Sequence, residues 1–383
     1  MPWKASRPVD MKVEFVKRLM AGERMTELCR EYGINRQTGY EVVARFKRYG
    51  SEGLEPQSRA PKRIPHRMNE AFAALVIAER QAHPTWGPKK LKAALERRHS
   101  IKLPAASSLG AVLSREGLVT GRRRRPPAGF TRATELREAK APNEVWAVDY
   151  KGQFRLGDRS LCYPLTLTDQ FARFVLACDG MAAIDEAAAI EASEHAFRRY
   201  GLPDAIRSDN GVPFATTGLA GLSRLSAFWL RLGIRLERIR PAHPEENGRH
   251  ERMHRTLKAE TARPGAANLL AQQQRFATWV KEFNTERPHE AIGQQVPATL
   301  YRASERPLPS RLPYPDYPLH DDVLELNSSG RLTLAGRDHY HISTALAHQP
   351  VGVREDPDGQ WLVTFMTVDL GRIDRTTRTF KPA

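Results

Sequence analysis

The chain of 383 residues carries a net charge of +16, and all of the excess positive charge lies in its first 140 residues. That stretch holds 30 lysines and arginines against 14 acidic residues, whereas residues 141–383 hold 30 of each. A basic region in front of a neutral body is typical of a protein whose first part binds a polyanion such as DNA. A basic tail without structure is the alternative, and it fits less well because the basic region shows helical periodicity.

Composition excludes several other classes of protein. Hydrophobic residues make up 40% of the chain, which is enough for sizeable cores. No apolar run approaches the roughly 20 residues that span a bilayer, and no apolar signal segment follows the first residues. The cysteines Cys29, Cys162 and Cys178 are too few and too scattered for a disulfide framework or a cysteine-rich zinc site. We therefore expect a cytoplasmic protein of two to four domains, associated with the nucleoid when it is bound to DNA.

Residues 1–60 predict a helix-turn-helix domain. Three helices are expected over residues 10–49, with Asn35 as the N-cap of the third and Tyr40, Val43 and Phe46 directed toward the core. A short helix, a turn containing glycine and a second helix form the DNA-binding pattern in which the start of the second helix meets base edges. The predicted base-reading or phosphate-binding residues are Arg36, Gln37 and Thr38, and those nearer the DNA backbone are Arg45, Lys47 and Arg48. An ordinary helical hairpin is the alternative.

A second helical unit is predicted over residues 66–121, with helices at about 69–82, 87–98 and 107–116. It resembles a second, winged helix-turn-helix, with the wing beginning at Leu118-Val119. A basic linker follows over residues 122–142. Its four consecutive arginines cannot pack against one another and are expected to bind phosphate; they are Arg122, Arg123, Arg124 and Arg125.

The pattern changes near residue 143, where strands begin. Three predicted strands are followed by alternating helices and strands, which indicates an α/β sandwich with a mixed sheet over residues 143–305. Two helices, at about 247–260 and 266–283, complete this part. A hairpin is predicted around the turn at 356–359, and residues 320–383 are expected to form a small C-terminal β-barrel. The fold class is therefore multidomain, with N-terminal helical units and an α/β core.

Three acidic residues stand out by position in this α/β core. Asp149 lies inside the first strand, where a carboxylate is costly unless it is paired or bound to a metal. Asp209 follows a short strand, and Glu251 lies on the helix that begins near residue 247. Three carboxylates suit a hard cation, Mg²⁺ or Mn²⁺, which can activate a water or a 3′-hydroxyl at a phosphodiester. Arg255 and Lys258 share the helix face of Glu251 and could hold a DNA strand beside the metal.

The segments that contain these acids resemble the catalytic core of bacterial insertion-sequence transposases, members of the DDE superfamily that includes retroviral integrases. These segments are Trp146–Asp149, Ser208–Gly211 and Asn247–Arg252. Further segments look closest to the family of insertion sequence 481, and they are Gly221–Leu225, Leu230–Ile234, Arg240–Pro244, Asn284–Ala291 and, near the N-terminus, Gly33-Ile34 and Thr38–Tyr40. The resemblance covers nearly the whole chain.

This resemblance implies an RNase H-like core and recognition of the terminal inverted repeats of a transposon. It also implies Mg²⁺-dependent DNA cleavage, with Mn²⁺ as a substitute, and transfer of the 3′-OH into target DNA. Asp149, Asp209 and Glu251 would be the catalytic and metal-binding residues. Because two transposon ends must be joined, it further implies a homo-oligomer on double-stranded DNA.

The third carboxylate departs from the usual spacing of the superfamily. Its members often have 35 residues between the second Asp and the Glu, whereas 41 residues separate Asp209 from Glu251. Glu245 would restore the spacing of 35. We favour Glu251 because it follows Asn-Gly on the predicted helix, whereas Glu245 falls in a predicted loop.

Two other functions compete with the transposase interpretation. His250-Glu251 and His254 match the H-E-x-x-H pattern, in which two histidines bind zinc and the glutamate acts as the general base of a peptidase. That pattern leaves Asp149, Asp209 and the basic region unexplained. If it is not a zinc site, we expect the two histidines to be exposed on the helix or to contact DNA. A non-catalytic DNA-binding regulator that retains the fold is the second alternative.

Overall fold

The computed structural model describes residues 8–55, 68–119, 136–240, 243–334 and 338–383. The chain divides into two compact units, Met1–Arg67 and Met68–Ala383. The predicted phosphate-binding arginines Arg122 to Arg125 lie outside the described residues. In the described parts of the chain, no helix is both long enough and apolar enough to cross a membrane.

The first unit contains the three helices that the sequence predicts, namely α1 (Pro8–Met20), α2 (Met25–Glu31) and α3 (Arg36–Tyr49). The Asn35 side chain caps α3 by accepting a hydrogen bond from the Thr38 backbone N–H at 2.7 Å, as predicted. The three helices and the turn after α3 enclose one small core, formed by Phe15, Val16, Leu28, Cys29, Val42 and Leu54.

The orientation of α3 differs from the prediction at Tyr40, which was expected in the core but is 61% exposed. The buried face of α3 is instead formed by Gly39 and Val42, with Val43 and Phe46 partly buried beside them. Gly39 has no side chain, so α3 can approach α2 closely along this line. Tyr40 therefore lies on the outer face of α3.

Substitution of Gly39 by alanine should destabilise the first unit by about 1–2 kcal/mol, because overpacking outweighs the gain in helix propensity. A Cβ at this position would lie 2.8 Å from Cys29 Sγ and 2.9 Å from Met25 Sδ. Hydrogen exchange of the α3 amides, followed by mass spectrometry on the full chain, should become faster. Gly110→Ala is the matched control: its Cβ would meet only Pro88 Cγ, at 3.4 Å. Unchanged or slower exchange of α3 in Gly39→Ala would contradict the prediction.

The second helical unit contains α4 (Glu70–Ala82), α5 (Pro88–His99) and α6 (Ala106–Arg115), close to the predicted bounds. The helices pack around Trp86, Leu91 and Leu109, which are fully buried. The residues that would follow Val119 in the predicted wing lie outside the described part of the chain. Leu118 and Val119 themselves are not in a strand, and the Leu118 carbonyl accepts a hydrogen bond from Arg80 Nη2 at 3.1 Å. This guanidinium holds the chain against α4 after α6 has ended.

A mixed sheet of six strands forms the centre of the second unit, in the order β2-β3-β1-β5-β6 with β4 paired to β3. The strand β3 pairs antiparallel with each of β1, β2 and β4. On the other side of β1, the strands β1, β5 and β6 run parallel to one another. This is the mixed sheet predicted from the sequence. The strands are β1 (Val145–Tyr150), β2 (Phe154–Arg155), β3 (Leu161–Asp169), β4 (Val175–Met181), β5 (Ala205–Ser208) and β6 (Arg235–Arg238).

Helices cover both faces of this sheet. On one face, α7 (Glu186–Tyr200) and α8 (Arg224–Arg231) pack against strand residues around Trp146. On the other face, α9 (Gly248–Thr261) and α10 (Leu269–Thr285) pack around Phe276, and the short α11 (Pro297–Leu300) follows. The core extends slightly beyond the predicted 143–305, since Ala139 packs against Val145 and the Arg306 carbonyl accepts from Leu202 N–H at 2.7 Å.

Polar contacts join the second helical unit to this core. Lys89 Nζ lies 2.5 Å from Glu290 Oε1, and Arg97 Nη2 donates to the Glu286 carbonyl at 2.7 Å. His83 Nδ1 lies 3.0 Å from Glu282 Oε1 on α10. Basic residues on and just before α5 thus contact groups in the last turn of α10 and in the segment that follows it.

The C-terminal part is a five-stranded antiparallel sheet together with a two-stranded hairpin, where the sequence predicts a small β-barrel. The sheet has the order β13-β12-β11-β10-β7, and β8 pairs with β9. Both pack around one apolar core, which also takes in Leu222 and Leu230 from the α/β core. The predicted hairpin around 356–359 is confirmed. The strands are β7 (Asp322–Glu325), β8 (Arg331–Leu334), β9 (Asp338–His341), β10 (Pro350–Glu355), β11 (Trp361–Phe365), β12 (Val368–Asp374) and β13 (Thr379–Pro382).

Candidate active site

Asp149 lies on β1, on the side of the sheet that faces α9. Trp146 and Val148, on the same strand, are buried in the core beneath α7 and α8. Because side chains alternate along a strand, the Asp149 side chain lies on the opposite face of the sheet. The Asp149 carboxylate is 21% exposed, and its Oδ2 lies 3.7 Å from Nδ1 of His254 on α9. The acid is thus at the boundary between the sheet and this helix.

Asp209 lies just past the end of β5, the parallel neighbour of β1. Ala147 of β1 pairs with Arg207 of β5, and Asp149 and Asp209 each come two residues after this pair. The two acids therefore lie at the same end of two neighbouring parallel strands. The Asp209 carboxylate accepts a hydrogen bond from Gly211 N–H at 3.0 Å, and Asn210 Nδ2 donates to the Ile239 carbonyl at 2.6 Å. These bonds hold the turn that follows β5 and orient Asp209.

Glu251 lies exposed in the first turn of α9, three residues before His254. Residues three apart on a helix lie on the same side, so Glu251 is one turn away from the residue that contacts Asp149. The competing Glu245 lies in the 3-10 helix Pro244–Asn247, and its side chain is outside the described part of the structure. The helical position expected for Glu251 is therefore observed.

The three acids interact electrostatically. Burial, helped by the negative charges of Asp209 and Glu251 and opposed by the charge of Lys151, raises the pKa of Asp149 to about 7. The ionised form of Asp149 is thus disfavoured by its surroundings, and a bound cation would stabilise it. Three carboxylates are a donor set that suits a hard divalent cation. Among the described residues, however, the donor atoms that lie within 4.8 Å of one another belong to Asp149, His250 and His254, not to the three acids.

The two histidines of α9 are buried, which corrects the expectation that they are exposed or contact DNA. His250 is 1% and His254 2% exposed. Nε2 of each ring lies within hydrogen-bonding distance of Thr166 Oγ1 on β3, at 2.7 and 2.6 Å. Burial lowers the pKa of His250 to about 3 and also lowers that of His254. No strong feature of the sequence pointed to Thr166 as their partner.

This arrangement argues against the zinc peptidase. Both Nε2 atoms are bonded to Thr166, and the His250 Nδ1 lies 2.9 Å from Thr168 Oγ1. Glu251, which would be the general base, is exposed on α9. Both nitrogens of His250 are therefore engaged by threonines, so it has none left for zinc, whereas a zinc-bound H-E-x-x-H helix needs both histidines as ligands.

The predicted cations of α9 lie beside Glu251. Arg255 is exposed and Lys258 is half-buried. The structure adds Lys151, which acts on the pKa of Asp149, and Arg173, whose own pKa is lowered to about 10 by burial and by the charges of Arg249 and Arg252. Lys151 is two residues from Asp149 and could have been chosen on that ground, whereas nothing in the sequence singles out Arg173.

The predicted DNA-binding residues of α3 fall into two groups. Five are exposed on the helix, namely Arg36, Gln37, Thr38, Lys47 and Arg48. Arg45 differs, because it is half-buried and its Nη2 donates to the Glu55 carbonyl at 3.2 Å. Arg45 is thus engaged with the chain that follows α3. Tyr40 lies on the exposed face of α3, between the exposed residues at the start of the helix and those near its end.

Models of known domains match both halves of the chain. A helix-turn-helix domain matches residues 11–62, and a homeodomain-like domain matches residues 38–113. Two integrase core domains match residues 139–244 and 232–297. The integrase matches span the strands and helices that carry Asp149, Asp209 and Glu251.

Similar proteins include two from insertion elements. The IS407 uncharacterized 31.7 kDa protein of Burkholderia multivorans is 27% identical over 61% of this chain and 82% of its own. The IS476 uncharacterized 39.2 kDa protein of Xanthomonas euvesicatoria is 22% identical over 73% of this chain and 78% of its own. The Gag-Pol polyprotein of baboon endogenous virus is 29% identical over 49% of this chain and 10% of its own.

The helix-turn-helix region, the integrase core and the likeness to insertion-element proteins agree with one another. They make the protein a DNA-binding enzyme of the nuclease and strand-transferase type, whose core implies a divalent metal cofactor. Together these findings support an insertion-sequence transposase with a DDE integrase-like core.

Proposed function

We propose that this transposase binds the terminal inverted repeats of its own element and joins their 3′-OH ends to target DNA. Asp149, Asp209 and Glu251 are the catalytic carboxylates, and Mg²⁺ is the cofactor, with Mn²⁺ as a substitute. The observation that supports the proposal is that Asp209 and Glu251 both act on the ionisation of Asp149, where β1, β5 and α9 meet.

The residues fit such a metal because the negative charges of Asp209 and Glu251 disfavour the ionised form of Asp149, which a cation would stabilise. Two bound cations would activate the attacking water or 3′-hydroxyl and stabilise the leaving oxygen of the phosphodiester. The chain's own part is positional. The Gly211 N–H fixes one oxygen of Asp209, and β1 fixes the backbone of Asp149. Lys151, Arg255 and Lys258 hold the DNA phosphates beside the carboxylates.

The other parts of the chain select and assemble the DNA. The exposed face of α3 reads the inverted repeat in the major groove, and Arg122 to Arg125 contact phosphates. The C-terminal sheet binds DNA or a second subunit. Because two ends are joined in one reaction, the active form is at least a dimer on double-stranded DNA.

The test is strand transfer into a supercoiled plasmid, with a duplex oligonucleotide copied from the DNA that flanks the gene. Wild type, Glu251→Gln and Glu245→Gln are compared in Mg²⁺, Mn²⁺ and EDTA. We expect joined product with wild type and Glu245→Gln in either metal, and none in EDTA or with Glu251→Gln.

Each contrary outcome has a distinct meaning. Loss of joining in Glu245→Gln alone would transfer the third carboxylate role to that residue. Specific binding of the donor without joining in either metal would instead indicate a regulator that retains the fold. Joining that persists in EDTA would contradict the metal requirement.

Substitutions on α3 should separate base recognition from phosphate binding. Arg36→Ala should weaken binding to the inverted repeat by about 5- to 150-fold (about 1–3 kcal/mol), with a smaller effect on unrelated DNA. Lys47→Ala should weaken binding to both DNAs and lower the slope of log affinity against log salt by about 1. Fluorescence anisotropy over a salt series measures both. Lys17→Ala, which removes an exposed cation from α1, is the control, and an equal loss with it would contradict the assignment.

A further inference from the structure

The contact between α9 and the sheet is a polar cluster centred on the Thr166 hydroxyl. Thr166 Oγ1 lies 3.1 Å from the Asp149 backbone carbonyl, 2.7 Å from His250 Nε2 and 2.6 Å from His254 Nε2. Thr166 is 0% exposed, and both histidines are buried. Solvent therefore does not take part in these hydrogen bonds.

The protons of this cluster can be assigned by counting donors and acceptors. A hydroxyl donates one hydrogen bond and accepts two. The Asp149 carbonyl can only accept, so Thr166 donates to it and accepts from both histidines. Each histidine therefore carries its proton on Nε2. Both rings are buried away from water, where a charged imidazolium is costly, so with Nε2 protonated each Nδ1 has a lone pair.

The two lone pairs face different groups. The His250 Nδ1 lies 2.9 Å from Thr168 Oγ1, whose hydroxyl can donate to it. The His254 Nδ1 lies 3.7 Å from Asp149 Oδ2. A lone pair opposite a carboxylate oxygen is unfavourable unless a positive species lies between them. The separation of 3.7 Å is longer than a hydrogen bond, so the two atoms do not bond to each other directly.

We propose that Nδ1 of His254 is a nitrogen ligand of the cation that Asp149 binds, so that this metal site has a mixed nitrogen and oxygen donor set. The inference rests on the proposed function, since it takes Asp149 as a metal ligand. Asp149, His250 and His254 offer donor atoms within 4.8 Å of one another. His250 is the structural member, because both of its nitrogens are bonded to threonines.

An imidazole ligand changes which metal the site prefers. Carboxylate and water oxygens suit Mg²⁺, whereas imidazole nitrogen suits transition metals and raises the affinity for Mn²⁺ relative to Mg²⁺. Thr166 orients the ring and fixes its tautomer from the other side, as groups behind metal-bound histidines commonly do. The site should therefore bind Mn²⁺ more tightly than Mg²⁺.

The test uses Mn²⁺ itself as the probe, bound to the full chain without DNA. Electron spin echo envelope modulation detects nitrogen bound directly to Mn²⁺, and chain labelled with ¹⁵N shows whether that nitrogen comes from the protein. Isothermal titration calorimetry gives the Mn²⁺ and Mg²⁺ affinities. We expect a coupling from one directly bound histidine nitrogen in wild type.

Three variants assign the nitrogen. His254→Gln places an amide where Nε2 lies, so the contact with Thr166 can be kept while Nδ1 is lost. It should abolish the coupling and lower the affinity for Mn²⁺ by about tenfold or more, with a smaller change for Mg²⁺. His339→Gln is the matched control, since His339 Nδ1 also pairs with a threonine, Thr333, at 2.9 Å. Asp149→Asn tests the metal site itself.

The outcomes separate this inference from the proposed function. Absence of nitrogen coupling in wild type, where Asp149→Asn still weakens Mn²⁺ binding, would overturn the role of His254 and leave the carboxylate site intact. This result does not depend on whether any His254 variant folds. Coupling that persists in His254→Gln would also overturn the role. Mn²⁺ binding that Asp149→Asn leaves unchanged would contradict the carboxylate site and the proposed function with it.

Discussion

Replacement of Asp149 by asparagine should lower the rate of DNA strand transfer about a thousandfold, since the metal contributes several kcal/mol and about 4 kcal/mol corresponds to three powers of ten. The asparagine has almost the same volume, so the fold around β1 should persist. What is lost is the negative charge that lies in the common field of Asp209 and Glu251. Strand transfer in Mg²⁺, measured by the joining of a labelled donor to plasmid, gives the rate.

Binding of the donor should not fall in this variant, because the residues proposed to read the DNA lie on α3, in the compact unit Met1–Arg67. Asp179→Asn is the matched control. Asp179 also lies on a strand of the same sheet, but its carboxylate accepts from Gln273 Nε2 at 3.3 Å. Asp149→Asn that joins DNA at the wild-type rate would remove Asp149 from the catalytic set, as would an equal loss in Asp179→Asn.

Truncation of Trp146 to alanine should destabilise the second unit by about 3–5 kcal/mol. The indole is 0% exposed and stacks on Phe197 of α7, with ring centroids 5.8 Å apart. Its Nε1 donates to Asn143 Oδ1 at 3.0 Å. The variant leaves a large cavity between β1 and α7 and removes this hydrogen bond.

The corresponding fall in melting temperature is roughly 5–8 °C, because an unfolding entropy of about 2.1 cal/mol/K per residue over the unit Met68–Ala383 gives about 1.5 °C per kcal/mol. Differential scanning calorimetry on the full chain measures it. Leu270→Ala is the control, because Leu270 is 73% exposed at the start of α10 and should change the stability by less than about 0.5 kcal/mol. A melting temperature for Trp146→Ala within about 1–2 °C of wild type, a drop worth only about 1 kcal/mol, would show that the core collapses around the gap.

The elements that the sequence predicts well are those with strong local patterns. The apolar run of β3, the helical period of α10 and the turn between β10 and β11 each depend on residues close together in the chain. The same holds for the cap of α3 by Asn35. The carboxylates Asp149 and Asp209 were also identified locally, one as a charge inside a strand and the other at the end of a strand.

The features that the sequence does not predict depend on distant partners. His250 and His254 are buried because Thr166, more than 80 residues earlier, offers a hydroxyl on the neighbouring strand. The face of α3 that carries Tyr40 depends on the packing of Gly39 against Cys29 and Met25. The packing of the C-terminal sheet against Leu222 and Leu230 likewise has no local signal.

The Thr166 cluster also limits how the element's gene can change over time. One hydroxyl serves three hydrogen bonds, so an apolar substitution of Thr166 leaves two buried imidazole N–H groups without a partner, at about 1–3 kcal/mol each. A change at either histidine to a side chain that has no donor at the position of Nε2 leaves part of the same set unmatched. Thr166, His250 and His254 therefore tolerate only single replacements that keep these hydrogen bonds. Copies of the element that accumulate random mutations should be inactivated at these positions as readily as at the carboxylates.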